Sequence, residues 1–204
     1  MTSSIKSIMN ENVLDKTVLV RADLNIPMSN GNISDQSRVE RVIPTINFLK
    51  SSGAKIVICS HLGRPNGKYN KNYTLKPLVE ILSNILETNV RFSNSCLGQE
   101  ALEIKTSLKA GEILLLENVR FHEEEINNSL SFAKKLSEGC DLFVNDAFSC
   151  SHRAHSSLHA ITNFLPSYSG KLMDEEIKAL TSVLSSPIKP VAALVGGAKI
   201  STKI

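Results

Sequence analysis

No apolar run in the 204 residues is longer than a handful; Ile113 to Leu116 and Val191 to Val195 are typical. A membrane-spanning helix needs about 20 such residues, so none is expected. The N-terminus, Met1-Thr-Ser-Ser-Ile-Lys, has no apolar stretch of signal-peptide length. The four cysteines, Cys59, Cys96, Cys140 and Cys150, form no CxxC pair. They read as reduced thiols of a cytoplasmic protein rather than a disulfide frame. No Lys/Arg run exceeds two residues, which argues against nucleic acid as a partner despite a net charge of +3. Internal repeats and low-complexity tracts are absent. So are HExxH, GxSxG and the GxxxxGK[ST] spacing of a Walker A loop. Cys150, His152, His155 and His159 lack the spacing of a zinc site, and no bound metal is expected.

What is present is an alternation. Five β-branched or aliphatic runs, at 17–20, 55–59, 90–92, 113–116 and 142–144, alternate with longer helical patterns. The pattern over 34–52 places Val39, Val42, Ile43, Ile46 and Leu49 on one face, with Pro44 expected to kink or split it. Thr74 is positioned to cap a helix carrying Leu78, Ile81, Leu82, Ile85 and Leu86. Further helices are expected over 99–108, 129–137, 156–164 and 171–185, and Glu123-Glu124-Glu125 reads as a solvated charge run. Nearly continuous apolar strands, each followed by a helix, indicate a Rossmann-like, mostly parallel α/β sheet with helices on both faces. Ser185 to Pro190 looks like a linker. Val191 to Val195 reads as a strand buried on both faces, and Gly196-Gly197 turns into the start of a helix. The expectation is a second domain cut short at Ile204; the alternative is that this strand pairs with the first sheet.

In an open parallel sheet, ligands bind outside the carboxyl ends of the strands. Of the seven arginines, at 21, 38, 41, 64, 91, 120 and 153, three follow strands directly: Arg64, Arg120 and Arg153. Arg38 opens the first helix at the same edge, His61 lies beside Arg64, and Asp23 and Asn25 follow the first strand. Each such arginine taken singly reads as a solvated charge; the shared placement lifts the group. Four guanidiniums in one cleft imply a small ligand with at least two anionic groups, held by planar forks that lysine lacks. Asp23 and Asn25 suit a hydroxyl on it. Gly196, Gly197, Lys199 and Lys203 lie between a strand and a helix start, which suits a phosphate, although a plain turn explains them nearly as well.

Five segments in order, spanning nearly the whole chain, resemble phosphoglycerate kinases. They are Val20-Arg-Ala-Asp-Leu-Asn-Ile-Pro27, Ser60-His-Leu-Gly-Arg-Pro65, Leu116-Glu-Asn-Val-Arg-Phe121, Asn145-Asp-Ala-Phe148 with His152-Arg-Ala-His155, and Gly196-Gly-Ala-Lys-Ile-Ser-Thr-Lys203. The resemblance covers roughly the first half of that family's chain. It implies two α/β domains facing a cleft: 1–170 for 3-phosphoglycerate or 1,3-bisphosphoglycerate, 171–189 as a connecting helix and linker, and 190–204 as the beginning of a domain for Mg-ADP or Mg-ATP. It implies that Asp23 and Asn25 hold the substrate's hydroxyl end. His61, Arg64, Arg120 and Arg153 would hold its phosphate and carboxyl regions, with Arg38 facing the phosphoryl group in flight. Lys199 would neutralise that group; Gly196, Gly197 and Lys203 would contact nucleotide phosphates. A glycolytic, cytoplasmic, monomeric enzyme is expected, inactive as this fragment alone. Ser149 stands where the family commonly has glycine, followed by Cys150 and Ser151. The reaction needs no general base, since both possible nucleophiles, a carboxylate and a phosphate oxygen, are already ionised. The rival readings are a non-catalytic binding module for a small phosphorylated carboxylate, which needs no second domain, and a phosphosugar isomerase. The isomerase requires an acid/base pair in the cleft, for which Glu117 is the one spare carboxylate.

Overall fold

The structure, a computed structural model, describes residues 5–26, 28–29, 32–33, 35–185 and 187–192. Strand β1 (Thr17–Ala22) leads through a small antiparallel hairpin, β2 (Met28–Ser29) and β3 (Asn32–Ile33), to helix α1 (Ser37–Ser51). There follow β4 (Lys55–Cys59), α2 (Leu78–Leu86), β5 (Val90–Ser93), α3 (Gln99–Ser107) and β6 (Ile113–Leu116). The chain continues through α4 (Glu123–Ile126), α5 (Leu130–Ser137), β7 (Leu142–Asp146), β8 (Ser167–Ser169) and α6 (Lys171–Ser185).

Six strands form one sheet in the order β5-β6-β4-β1-β7-β8, and every pairing in it is parallel. The side-chain period of two sends alternate residues to opposite faces. Val18, Val20, Ile56, Ile58 and Val144 pack with Val39, Val42, Ile46 and Leu49 of α1 and Leu78 and Leu82 of α2. Leu19, Val57, Leu114, Leu116 and Phe143 pack on the other face with Ala101 of α3 and with Phe132, Ala133 and Leu136 of α5. The two-faced α/β sheet read from the apolar strands is therefore the observed one.

Several expectations are corrected. Pro44 lies inside α1, which runs unbroken from Ser37 to Ser51. The bond lost to a proline is a single one, and the buried stripe of Val39, Val42, Ile46 and Leu49 holds both flanks to the sheet. The segment 156–164 is not an α-helix; only Ala160–Asn163 makes a short 3-10 turn. Ser156 Oγ donates to the Glu124 carbonyl, and Ser157 donates from both its N–H and its hydroxyl to the Glu125 carboxylate. Those side-chain bonds compete with a helical ladder. Helix α2 starts at Leu78 with Pro77 before it, while the Thr74 hydroxyl accepts from Lys76 N–H. The 191–195 strand lies mostly outside the described residues; at its described end, Val191 is 59% exposed and belongs to no strand.

Candidate functional site

The central strand β1 has β4 on one side and β7 on the other, so the chain reverses direction across the sheet there. Crevices open beyond the carboxyl ends of strands at such a point. A cavity of about 230 Å³ lies there, lined by Asp23, Asn25, Arg38, His61, Gly63, Arg64, Arg120, Ser149, Cys150 and Arg153. All seven residues expected on this edge thus share one cavity. Gly196, Gly197, Lys199 and Lys203 lie outside the described residues. A second cavity of about 270 Å³ shares Asp23, Arg38 and Ser149 with the first and extends to Arg41, Phe148, Leu172 and Glu176. Arg38 stands on the wall between the two.

The polar network is specific. Arg38 Nη1 and Ser149 Oγ both donate to Oδ2 of Asp23, and Oδ1 accepts the Asn25 N–H at 3.1 Å. Asn25 Oδ1 accepts from Gly63 N–H at 2.8 Å, while the Gly63 carbonyl accepts from Arg120 Nη1 at 2.8 Å. Gly63 has φ +61°, and a Cβ there would meet the Tyr73 ring at 2.3 Å, so this turn takes only glycine without rearrangement. Arg120 is almost fully buried, yet its Nε has no partner. That Nε is itself sealed from solvent, but the Arg120 side chain lines the cavity and brings its charge to an arriving anion. Burial, with Arg21 second, pulls the Arg120 pKa below its ordinary value.

His61 Nδ1 lies 3.1 Å from Arg21 Nη2. Burial first, then the guanidiniums of Arg21 and Arg120, push the His61 pKa down to about 2. A neutral imidazole whose conjugate acid is that strong is a poor base at neutral pH. Glu117 gives no alternative. It sits buried off the cavity, where its carboxylate accepts from Leu75 N–H, Asn118 N–H and the Thr74 hydroxyl. The isomerase reading therefore lacks its acid/base pair. Among the lining residues, four guanidiniums face one carboxylate. Ligand atoms of Asp23, His61 and Cys150 lie within 4.8 Å of one another. The surrounding guanidiniums oppose a cation there, and the Asp23 carboxylate is already engaged.

Sequence reasoning missed several of these groups. Ser149 was visible only as a departure from a family pattern, and Cys150 only as a candidate metal ligand. Arg21 showed no signal, since it precedes the strand end. Glu125, expected in a solvated run with Glu123 and Glu124, is fully buried and bound to Ser157. His155 is buried 3.8 Å from Glu125, whereas His159 contacts Asn128 at the surface.

The family model for phosphoglycerate kinase matches residues 8–204. The chain belongs to the phosphoglycerate kinase family. A phosphoglycerate kinase of Borrelia garinii subsp. bavariensis is 48% identical over 202 residues, covering 98% of this chain and 51% of that protein. One from Wolbachia pipientis subsp. Culex pipiens is 46% identical over 201 residues, covering 98% and 50%. Among solved structures, the phosphoglycerate kinase of Pyrococcus horikoshii superposes with a TM-score of 0.87 at 38% identity, covering 97% of this chain and 50% of that one. That of Coxiella burnetii gives a TM-score of 0.87 at 39% identity. The chain thus spans about half the length of the phosphoglycerate kinases it matches.

Proposed function

We propose that this chain supplies the substrate-binding half of a phosphoglycerate kinase, which moves a phosphoryl group between 1,3-bisphosphoglycerate and ADP to give 3-phosphoglycerate and ATP. Residues 1–170 would bind the triose, 171–189 would connect, and 190–204 would open the domain for Mg-ADP or Mg-ATP. One observation carries the reading: an arginine-rich cavity with no competent general base. Such a cavity suits transfer between oxygens that are already ionised, where catalysis is positioning and charge neutralisation. The uncompensated charge of the lining, four guanidiniums against Asp23, matches a ligand carrying one phosphate, with a charge of about −1.5 to −2, and one carboxylate.

In this reading Arg64, Arg120, Arg153 and His61, which line the cavity together, anchor the phosphate and carboxyl groups. Asp23 and Asn25 receive the hydroxyl. Arg38, on the wall between the two cavities, faces the transferring group. Gly196, Gly197, Lys199 and Lys203 serve the nucleotide on sequence grounds alone. The protein acts as a cytoplasmic monomer in glycolysis; no described helix is long and apolar enough to cross a membrane. Calorimetric titration of the 204-residue chain with 3-phosphoglycerate tests the proposal. Binding that weakens as salt rises is expected, because several charges meet in a partly open cavity. No binding at low salt would overturn it.

A further inference from the structure

Arg21 is fully buried and is not among the residues lining the cavity. It lies on β1, opposite Cys59 of β4 and Asn145 of β7, and shares the sheet face of Leu19. A buried guanidinium is tolerated only where its donors are spent. Here Nε donates to Ser157 Oγ at 2.8 Å, Nη1 to the Ala22 carbonyl, and Nη2 lies 3.1 Å from His61 Nδ1. Ser157 passes the charge on: its hydroxyl donates to Glu125 Oε1 at 2.7 Å and its N–H to Oε2 at 2.9 Å. Glu125 therefore balances Arg21 through a hydroxyl rather than by direct contact.

Arginine has five donors and no acceptor. The nitrogen facing it must then be the unprotonated one, and in a neutral imidazole the other nitrogen carries the hydrogen. His61 Nε2 is that other nitrogen, and no described residue bonds it. We infer that Arg21 is a positioning residue: held by Ser157 and Glu125, it fixes His61 as the tautomer protonated on Nε2, so that the ring presents a neutral N–H donor to the anion in the cavity. Doubly protonated His61 would aim a second N–H at Arg21 and lose the bond. Arg21, Arg120, Arg153 and His155 oppose the imidazolium, and the nearby carboxylate, Asp23, within 4.8 Å of a ring nitrogen, is engaged by Arg38 and Ser149.

The assignment of the anion rests on the function proposed above; the tautomer does not. Nitrogen-15 NMR of the histidine-labelled 204-residue chain reads the tautomer directly. His61 should show a protonated Nε2 and an unprotonated Nδ1, unchanged between about pH 5 and 8. A protonated Nδ1, or titration in that range, would overturn the inference with no variant needed. Arg21→Lys keeps a charge and one donor, and should keep the tautomer. Arg21→Met should release it and weaken inorganic phosphate and 3-phosphoglycerate about tenfold, the scale of one hydrogen bond to a charged group. Ser157→Ala, which leaves the cavity lining intact, should shift the His61 nitrogen signals in the same direction. If Arg21→Met does not fold, the wild-type, Lys and Ala spectra still decide. Unmoved His61 signals in Ser157→Ala, and in Arg21→Met where it folds, would make Arg21 structural only. Wild-type chain with the expected tautomer but no affinity for 3-phosphoglycerate would instead sink the substrate assignment.

Discussion

At the scale of the residue, the cavity divides its arginines by what already holds them. Arg120 is buried, bonded once to the Gly63 carbonyl, and has a free Nε; Arg64 lines the same wall. Arg64→Ala and Arg120→Ala should each weaken 3-phosphoglycerate binding by about 1.5–3 kcal/mol in calorimetry, the range for hydrogen bonds to charged groups. Unchanged affinity in both would mean that neither anchors the ligand. Asp146 behaves oppositely. Its Oδ1 accepts the Met173 N–H at 3.0 Å, but its buried Oδ2 has no partner, and burial pushes its pKa up to about 6. A carboxyl with a raised folded pKa favours the protonated form when folded. Its contribution is complete below about pH 4 and is lost as pH rises through about 6. In urea denaturation, Asp146→Asn should therefore raise stability at neutral pH relative to stability near pH 4 by about 2–3 kcal/mol. The arginines of the edge were legible because each follows a strand or opens a helix at one end of the sheet. Arg21 and Glu125 were not, because their burial depends on Ser157, which is remote in sequence from Arg21.

At the scale of the element, long periodic segments were legible and short ones were not. The five apolar runs all became strands, and 171–185 became α6 with the expected bounds. The hairpin of β2 and β3 and the three-residue β8 were missed, because two or three residues carry no period. Strand β8 exists through its pairing with β7, a tertiary choice. Helix ends show the same dependence on distant partners. Lys105 of α3 is almost fully buried, and its Nζ donates to the Leu136 carbonyl at 2.8 Å and the Glu138 carbonyl at 3.1 Å, satisfying the exposed end of α5. Lys105→Met keeps the packing of the stem and removes both bonds. It should destabilise the protein by about 1–3 kcal/mol in chemical denaturation, the cost of buried carbonyls left unpaired. No measurable change would mean that water replaces the ammonium.

At the scale of the whole molecule, the proposed function is tested with a second half present. If the proposal holds, joining a relative's C-terminal half to this chain restores turnover, and Arg38 can be compared with Arg64 there. If Arg38 faces the transferring group, its bonds strengthen as charge develops in the transition state. Arg38→Ala should then lower kcat by roughly a hundredfold, about 3 kcal/mol, while barely changing substrate affinity. Arg38→Lys should recover only part, since it keeps the charge without the fork. A rise in KM with kcat intact would make Arg38 another anchor.

The parallel sheet carries one more consequence, for the order in which the protein is made. Strand β1 is central, yet its partner β7 begins at Leu142, and the Thr17 N–H waits for the Asp141 carboxylate. Ser7 waits longer still: it bridges to Ser169, and its hydroxyl donates to Asp174. A ribosome thus delivers the middle of the sheet first and its second neighbour, β7, only after β4, β5 and β6. Until residue 146 has emerged, one edge of β1 has no native strand to pair with, and such unpaired edges recruit other chains. Closing pairings so distant in sequence is also slow. Until then the nascent chain carries a half-sheet with an open edge, the kind of surface that chaperones shield.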